Sequence, residues 1–212
     1  MSRTPPADVA AAIRRADRAF AAVIRRHGPP PSPRATPVAQ RFGTLATAIL
    51  HQQLAGAAAA AIHGRVVAAT GLPITPEGLL RAGDEVLASC GVSGPKRRSL
   101  FDLVDKTRDG TIDFSTLGRR SDDDIEAVLT SVRGIGQWTS HMFCMFTLAR
   151  PDVWPIGDYG VRAGWSLLHD DDELVAPRVL DELGEPFRPH RSAVAGYCWR
   201  AIEDARSSPQ PS

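Results

Sequence analysis

The chain has 212 residues, with 25 Lys+Arg against 24 Asp+Glu and a formal net charge of +1. That length buries a sizeable core in a single domain, with room for two lobes. The charge balance lacks the basic excess usual in a nucleic-acid binder, so any nucleic-acid face has to be local. No apolar run reaches the roughly 18 residues of a membrane span. The N-terminus, MSRTPPADVAAAIRRADRAF, lacks an uninterrupted apolar stretch, which argues against a secretory signal. Cys90, Cys144 and Cys198 are odd in number and widely spaced, and they suit buried thiols in a reducing compartment. Without a CxxC pair, neither a zinc site nor an iron–sulfur cluster is expected.

Residues 7–27 carry Val9, Ile13, Ala16, Phe20 and Ile24 at three- and four-residue steps, which predicts one amphipathic helix ended by His27-Gly28. GPPPSPRATP at 28–37 reads as an extended connection. Helices follow over 39–54 and 56–70, both rich in Ala, Leu and Ile and expected to be buried. The five alanines at 57–61 suit close packing. Gly71-Leu72-Pro73 stops the pair, and Thr75-Pro76-Glu77 starts another helix with a cap followed by proline. A short helix over 84–90 ends at Gly91, and Ser93 precedes one over 95–108. Ser121-Asp122-Asp123-Asp124 resembles a capping box, with acids at the positive end of the helix dipole. Capping is the preferred reading of that acidic run over a metal site. The last helices span 174–184 and 189–206. No strand pattern and no internal repeat occurs, so the fold class is all-α.

The chain is organised around residues 128–164, VLTSVRGIGQWTSHMFCMFTLARPDVWPIGDYGVRAG. They read as a helix end, a turn at Arg133-Gly134-Ile135-Gly136, and a helix over 136–149. A Gly/Pro-broken loop follows, and then a third helix begins at Asp158. The two glycines permit positive φ and close approach of another backbone. A helix starting at Gly136 would present its first N–H groups outward, where they bind phosphate well. Trp138, Met142, Met145, Phe146 and Ala149 fall near one helical face. From spacing alone the block is equally an ordinary αα-corner with a capping aspartate.

The hairpin VRGIGQWTS, the loop RPDVWPIGD and the tripeptide Asp158-Tyr159-Gly160 together resemble the helix-hairpin-helix–Gly/Pro–Asp superfamily of DNA base-excision glycosylases. Among these they are most similar to the AlkA-type 3-methyladenine DNA glycosylases. The resemblance covers most of 38–204 and implies a two-lobed all-α glycosylase fold. Its cleft would lie between the helices around 39–70 and those carrying 121–170. The division it implies is an N-terminal helix and Pro-rich connection over 1–37, then a glycosylase domain over 38–206. Within that domain the hairpin occupies 128–149 and the Gly/Pro–Asp loop 150–158; a tail covers 207–212. The compact form, without the β-rich N-terminal domain of longer relatives, is expected.

The resemblance makes Asp158 the catalytic carboxylate, with a plain N-cap as its structural alternative. It makes Trp138, Tyr159, Met142 and Trp199 the walls of a pocket for an extruded base, although Trp138 and Trp199 read equally as core. Gly134, Gly136 and Thr139 would grip DNA phosphates. In Ile49-Leu50-His51-Gln52-Gln53-Leu54, Gln53 is first choice and Leu54 second for the side chain that fills the vacated stack; a glutamine pair bonding a helix end is the alternative. His51 stands where glycine is more usual. Trp138 occupies the place of the nucleophilic lysine of lyase-competent members, so a monofunctional enzyme is implied. The carbonyls of Thr130, Val132 and Ile135 would hold a structural Na⁺ or K⁺, with no cofactor required. Asp152 has no role in the pattern. Lys96-Arg97-Arg98 either touch DNA or form a solvated face. Arg188-Pro189-His190-Arg191-Ser192 resembles a C-terminal motif of the family. The expected partner is double-stranded DNA containing damaged bases, with no membrane association; a cytoplasmic, nucleoid-associated monomer is implied.

Overall fold

The computed structural model describes residues 4–207, and no strand occurs among them. The expected residues 208–212 of the tail lie outside that range. The chain divides into two compact units. One joins the residues up to Arg34 with those from Arg150 onward, and the other is Ala35–Ala149. The N-terminal segment belongs to the same unit as the C-terminal helices.

The continuous unit holds α3 (Val38–His51), α4 (Gly56–Thr70), α5 (Pro76–Ser89), α6 (Gly94–Arg108), α7 (Phe114–Leu117), α8 (Asp122–Thr130) and α9 (Gln137–Met142). Its core gathers Leu45, Ile49, Leu50, Leu79, Leu87, Leu100, Leu103, Ile125 and Leu129, all essentially inaccessible to water. Starts follow the sequence: Thr75 accepts from the Gly78 amide and Ser121 from the Asp124 amide, each satisfying an N–H that the helix itself leaves open. Gly83, at φ 73°, breaks α5 into the two pieces read from the sequence. The four-residue α7 was not foreseen; Asp113 caps it through the Ser115 amide.

Two expectations fail in this unit. Of the five alanines at 57–61 only Ala59 is buried, because α4 turns the face bearing Ala59, Val66 and Thr70 inward and leaves the rest to solvent. The helix expected over 136–149 is α-helical only to Met142 and continues as a π-helical turn over Phe143–Thr147. The wider turn shifts the phase of the face. Met145 and Ala149 are buried, while Trp138 and Phe146 stay exposed and Met142 lies between.

The discontinuous unit holds α1 (Pro6–Ala16), α2 (Ala21–His27), α10 (Tyr159–Leu168), α11 (Pro177–Gly184) and α12 (Arg191–Ser207). The single helix expected over 7–27 is broken at Asp17. That residue adopts extended geometry, and its carboxylate caps the following 3₁₀ turn through the Ala19 amide. Phe20 then enters a ring cluster with Trp165 and Phe187, at centroid distances of 5.7 and 5.5 Å. His169 stacks on Trp165 at 4.4 Å and bonds the Asp17 carboxylate at 2.7 Å. All three cysteines are buried. Among the described residues no helix is long and apolar enough to cross a membrane.

The tightest packing in this unit is α10 on α12. A Cβ built on Gly164 would overlap the backbone carbonyl of Cys198, and backbone cannot move aside as a flexible side chain can. Gly164→Ala should therefore destabilise the protein by about 3 kcal/mol, lowering Tm by about 10 °C. Gly196→Ala, on α12 with open space around it, should instead be neutral or gain about 0.5–1 kcal/mol. Thermal melts of the two variants check the contrast, and equal melting of Gly164→Ala and the unsubstituted protein would contradict it.

Candidate active site and nucleic-acid interface

The predicted residues fall on both units. In the continuous unit the helix-terminating stretch, the hairpin and α6 are joined by hydrogen bonds. α3 ends at His51, three residues earlier than expected, because Gln52 turns extended and Gln53 adopts φ 55°. A non-glycine residue in the left-handed region carries strain of roughly 1–2 kcal/mol, and such strain gathers where function requires it. Gln53 and Leu54 are both exposed. Lys96 Nζ donates to the Leu50 carbonyl at 2.6 Å, satisfying an acceptor left open by the helix end. Gln52 Nε2 donates to the Gly134 carbonyl at 3.0 Å.

The hairpin rests on α6. Asp102 accepts from the Arg133 amide at 2.7 Å and from Lys106 at 2.7 Å. Burial pushes the Asp102 carboxyl up, but these hydrogen bonds outweigh it and hold the group below the usual carboxylate range. Its contribution to stability is present at neutral pH and is lost as the pH falls through that lowered value. Burial likewise lowers the Lys96 ammonium from its ordinary value. Gly134 has φ 77°, and a Cβ there would lie 2.7 Å from Ser99 Oγ, so glycine is required twice over. Gly136 does not share that requirement. Its φ is −103° with open space beside it, and it precedes α9 without any side-chain cap.

Trp138 is 54% exposed and Met142 is half-buried, whereas Thr139 is 6% exposed. Among the described residues the carbonyls of Thr130 and Ile135 accept no hydrogen bond, while Val132 O accepts from the Ile135 amide at 3.0 Å. The acidic start of α8 caps its helix, and no cluster of metal-ligating side chains occurs among the described residues.

In the discontinuous unit Asp158 is the N-cap of α10. Its Oδ1 accepts from the Val161 amide at 2.7 Å and from Trp199 Nε1 at 2.9 Å. Asp158 and Trp199 are half-buried, and Tyr159 is 66% exposed. Trp199 is therefore more than a wall or core ring, since it holds the carboxylate. Gly160 explains the third letter of the tripeptide: a Cβ there would meet Trp199 Cδ1 at 2.8 Å and Asp158 Oδ1 at 3.2 Å. Burial, with the Asp158 charge nearby, raises the Cys198 thiol well above its ordinary value and keeps it protonated.

Sequence reasoning missed the anchor of the Gly/Pro loop. Asp152, which had no role, receives a bidentate pair from buried Arg191, Nε to Oδ1 at 2.9 Å and NH2 to Oδ2 at 3.0 Å. Arg188 adds a bond to Oδ2 at 2.8 Å. Ser192 Oγ donates to the Arg150 carbonyl and accepts from the Val153 amide. The motif Arg188–Ser192 is thus the clamp that fixes the loop preceding Asp158. No local signal could have paired Asp152 with arginines 36 and 39 residues away. Lys96, Ser99 and Asp102 carried a fainter sign, three-residue steps along α6.

A family model described as HhH-GPD superfamily base excision DNA repair protein matches residues 46–189. DNA-3-methyladenine glycosylase 1 of Schizosaccharomyces pombe is 32% identical over 162 residues, covering 75% of this chain and 71% of its own length. DNA-3-methyladenine glycosylase of Saccharomyces cerevisiae is 29% identical over 194 residues, with 75% of this chain and 66% of its own length covered. The crystal structure of DNA-3-methyladenine glycosidase from Bacillus halodurans superposes with a TM-score of 0.85 at 32% identity, covering 98% of this chain and 94% of that one. The S. pombe 3-methyladenine DNA glycosylase in complex with abasic DNA gives a TM-score of 0.82 at 27% identity, over 95% and 100% of the two chains.

Removing Asp152 would leave buried Arg191 with only one ion pair, the longer contact to the exposed Glu185 carboxylate at 3.5 Å. Asp152→Ala should destabilise the protein by about 3 kcal/mol, and Asp152→Ala combined with Arg191→Met should recover part of that loss. Denaturant unfolding of both variants measures it; an Asp152→Ala protein as stable as the unsubstituted one would remove the clamp from the argument.

Proposed function

Because this chain belongs to the HhH-GPD superfamily of base excision DNA repair proteins, we propose that it is a monofunctional AlkA-type DNA glycosylase. It hydrolyses the N-glycosidic bond of alkylated purines, chiefly 3-methyladenine and also 7-methylguanine, after flipping the base out of the duplex. The observation that carries this reading is the Asp158 carboxylate. It is half-buried at a helix start, and the Val161 amide and the Trp199 indole hold one of its oxygens.

The chemistry asks little more. An alkylated purine of this kind is cationic, so it leaves as a neutral base without a general acid. Breaking the bond from C1′ to nitrogen leaves positive charge on the sugar, and Asp158 stabilises it. Water then adds to C1′, loses a proton and gives the abasic sugar. Exposed Tyr159, the residue after Asp158, offers an aromatic face for a cationic base, a stacking recognition that tolerates more than one purine. In the other unit exposed Trp138 offers a second aromatic face, and Met142, four residues on, is less electron-rich than an aromatic would be.

The absence of lyase chemistry follows from amines. The chain has two lysines; Lys96 bonds the Leu50 carbonyl and Lys106 the Asp102 carboxylate, and Trp138 replaces the family's nucleophile. The hairpin grips the DNA backbone with the amides after Gly136, and Gln53, with Leu54 as runner-up, fills the vacated stack. A Na⁺ or K⁺ ion held by the carbonyls of Thr130, Val132 and Ile135 would add positive charge beside the phosphates. The bonding of the turn suits it, since two of the three carbonyls accept no other bond. The enzyme acts as a monomer.

Asp158→Asn should reduce base release from 3-methyladenine duplexes by on the order of 10²–10³ while DNA binding and melting persist. Near-normal turnover would refute the assignment. Without alkali no strand breaks should appear, and borohydride should trap no covalent complex; a trapped adduct would overturn the monofunctional reading.

A further inference from the structure

The two elements given DNA-binding roles, the hairpin and the stretch after α3, are distant in sequence yet directly bonded, Gln52 Nε2 to the Gly134 carbonyl across 82 positions. We infer that Gln52 is a positioning residue that locks the Gln53 plug to the phosphate-gripping hairpin, so that capture of the backbone fixes where the plug enters the stack. This rests on the glycosylase reading above.

Three observations carry it. Gln53 holds a left-handed backbone that a glutamine does not adopt unless its surroundings impose it, so the residues leading into it must be held. Both holds lie just before it: Lys96 bonds the Leu50 carbonyl, and the Gln52 side chain bonds the hairpin's Gly134 carbonyl. Lys96, Ser99 and Asp102 lie at three-residue steps on α6, hence on one face. That face meets the end of α3 through Lys96 and the hairpin through Ser99 and Asp102. One rigid helix therefore serves as the bed for both elements, and Gln52 closes the loop between them.

Gln52 differs from Gln53 in what it can do. Its amide nitrogen is engaged by a hairpin carbonyl, whereas Gln53 is exposed. A methionine at 52 keeps the length of the side chain and removes the donor. A glutamate sets a carboxylate against the Gly134 carbonyl and should do worse.

The test uses the full chain on duplexes with one alkylated purine, either fully paired or opposite a mismatch. A plug matters most where the most stacking and pairing must be replaced. Gln52→Met should slow single-turnover base release about tenfold on the paired lesion and no more than about threefold on the mismatched one. Gln52→Glu should lose at least as much. Binding to undamaged duplex and the melting temperature should stay close to those of the unsubstituted protein. The double variant Gln52→Met/Gln53→Ala should be no slower than Gln53→Ala alone, because the strut acts only through the plug. Additive losses, equal losses on both substrates, or weaker binding to undamaged duplex would each overturn the proposal. A second readout separates it from the parent reading: 2-aminopurine placed beside an abasic-site analogue brightens when the stack opens. If the unsubstituted protein releases no base but brightens the probe, and Gln52→Met does not, the strut stands and the glycosylase reading falls. If both proteins release base and brighten the probe alike, the strut falls and the glycosylase reading stands.

Discussion

Helix α10 lies against α12 at backbone distance, and the geometry of Asp158 depends on that approach. Gly160 and Gly164 stand four residues apart on α10, hence one above the other on a single face. Opposite them lie Trp199 and the backbone of Cys198. Any side chain at 164 would drive the helices apart, and any side chain at 160 would push the indole away from Oδ1. The carboxylate is thus fixed by close packing of two glycines as much as by the bonds it accepts. The Gly/Pro loop leading into α10 is fixed independently, by the buried pairing of Asp152 with Arg191 and by the two bonds of Ser192. Under the proposed function, a carboxylate held in this way needs little reorganisation when positive charge develops beside it, the condition under which electrostatic stabilisation is largest.

How far the sequence could be read follows from the range of the interactions involved. Helices with local caps were legible: Thr75, Ser121 and Asp158 each satisfy an amide three residues ahead, and that spacing is written in the chain. The all-α class and the hairpin turn were legible for the same reason. The break at Asp17 was not, because apolar periodicity runs through it and the deciding interaction is a single side-chain cap. The π-helical turn at Phe143–Thr147 was invisible as well; apolar spacing cannot announce that one turn will widen and divide a predicted face. Hydrogen bonds between distant residues were the least legible. Gln52 with Gly134, Asp102 with Arg133, and Asp152 with Arg191 are chemically ordinary pairs that only the fold selects.

The same long-range bonding alters what the charge distribution means. The basic residues that stood out in the sequence are largely engaged within the protein. Lys96 bonds a helix end, Arg97 bonds Asp84 and the Val92 carbonyl, and Arg162 bonds the Val175 carbonyl. Arg188 and Arg191 meet at Asp152. These guanidinium and ammonium groups organise the two units from within. Under the proposed function, those engaged groups are less available to phosphates, so oriented backbone amides and stacked side chains would carry more of the affinity for a duplex. Each cation–phosphate pair releases about one counterion, whereas dipoles and stacking release none. A glycosylase built this way would read damage by the ease of opening the stack, and the bond from Gln52 to the hairpin ties that reading to the strained Gln53 next to it only if the proposed roles of both elements hold.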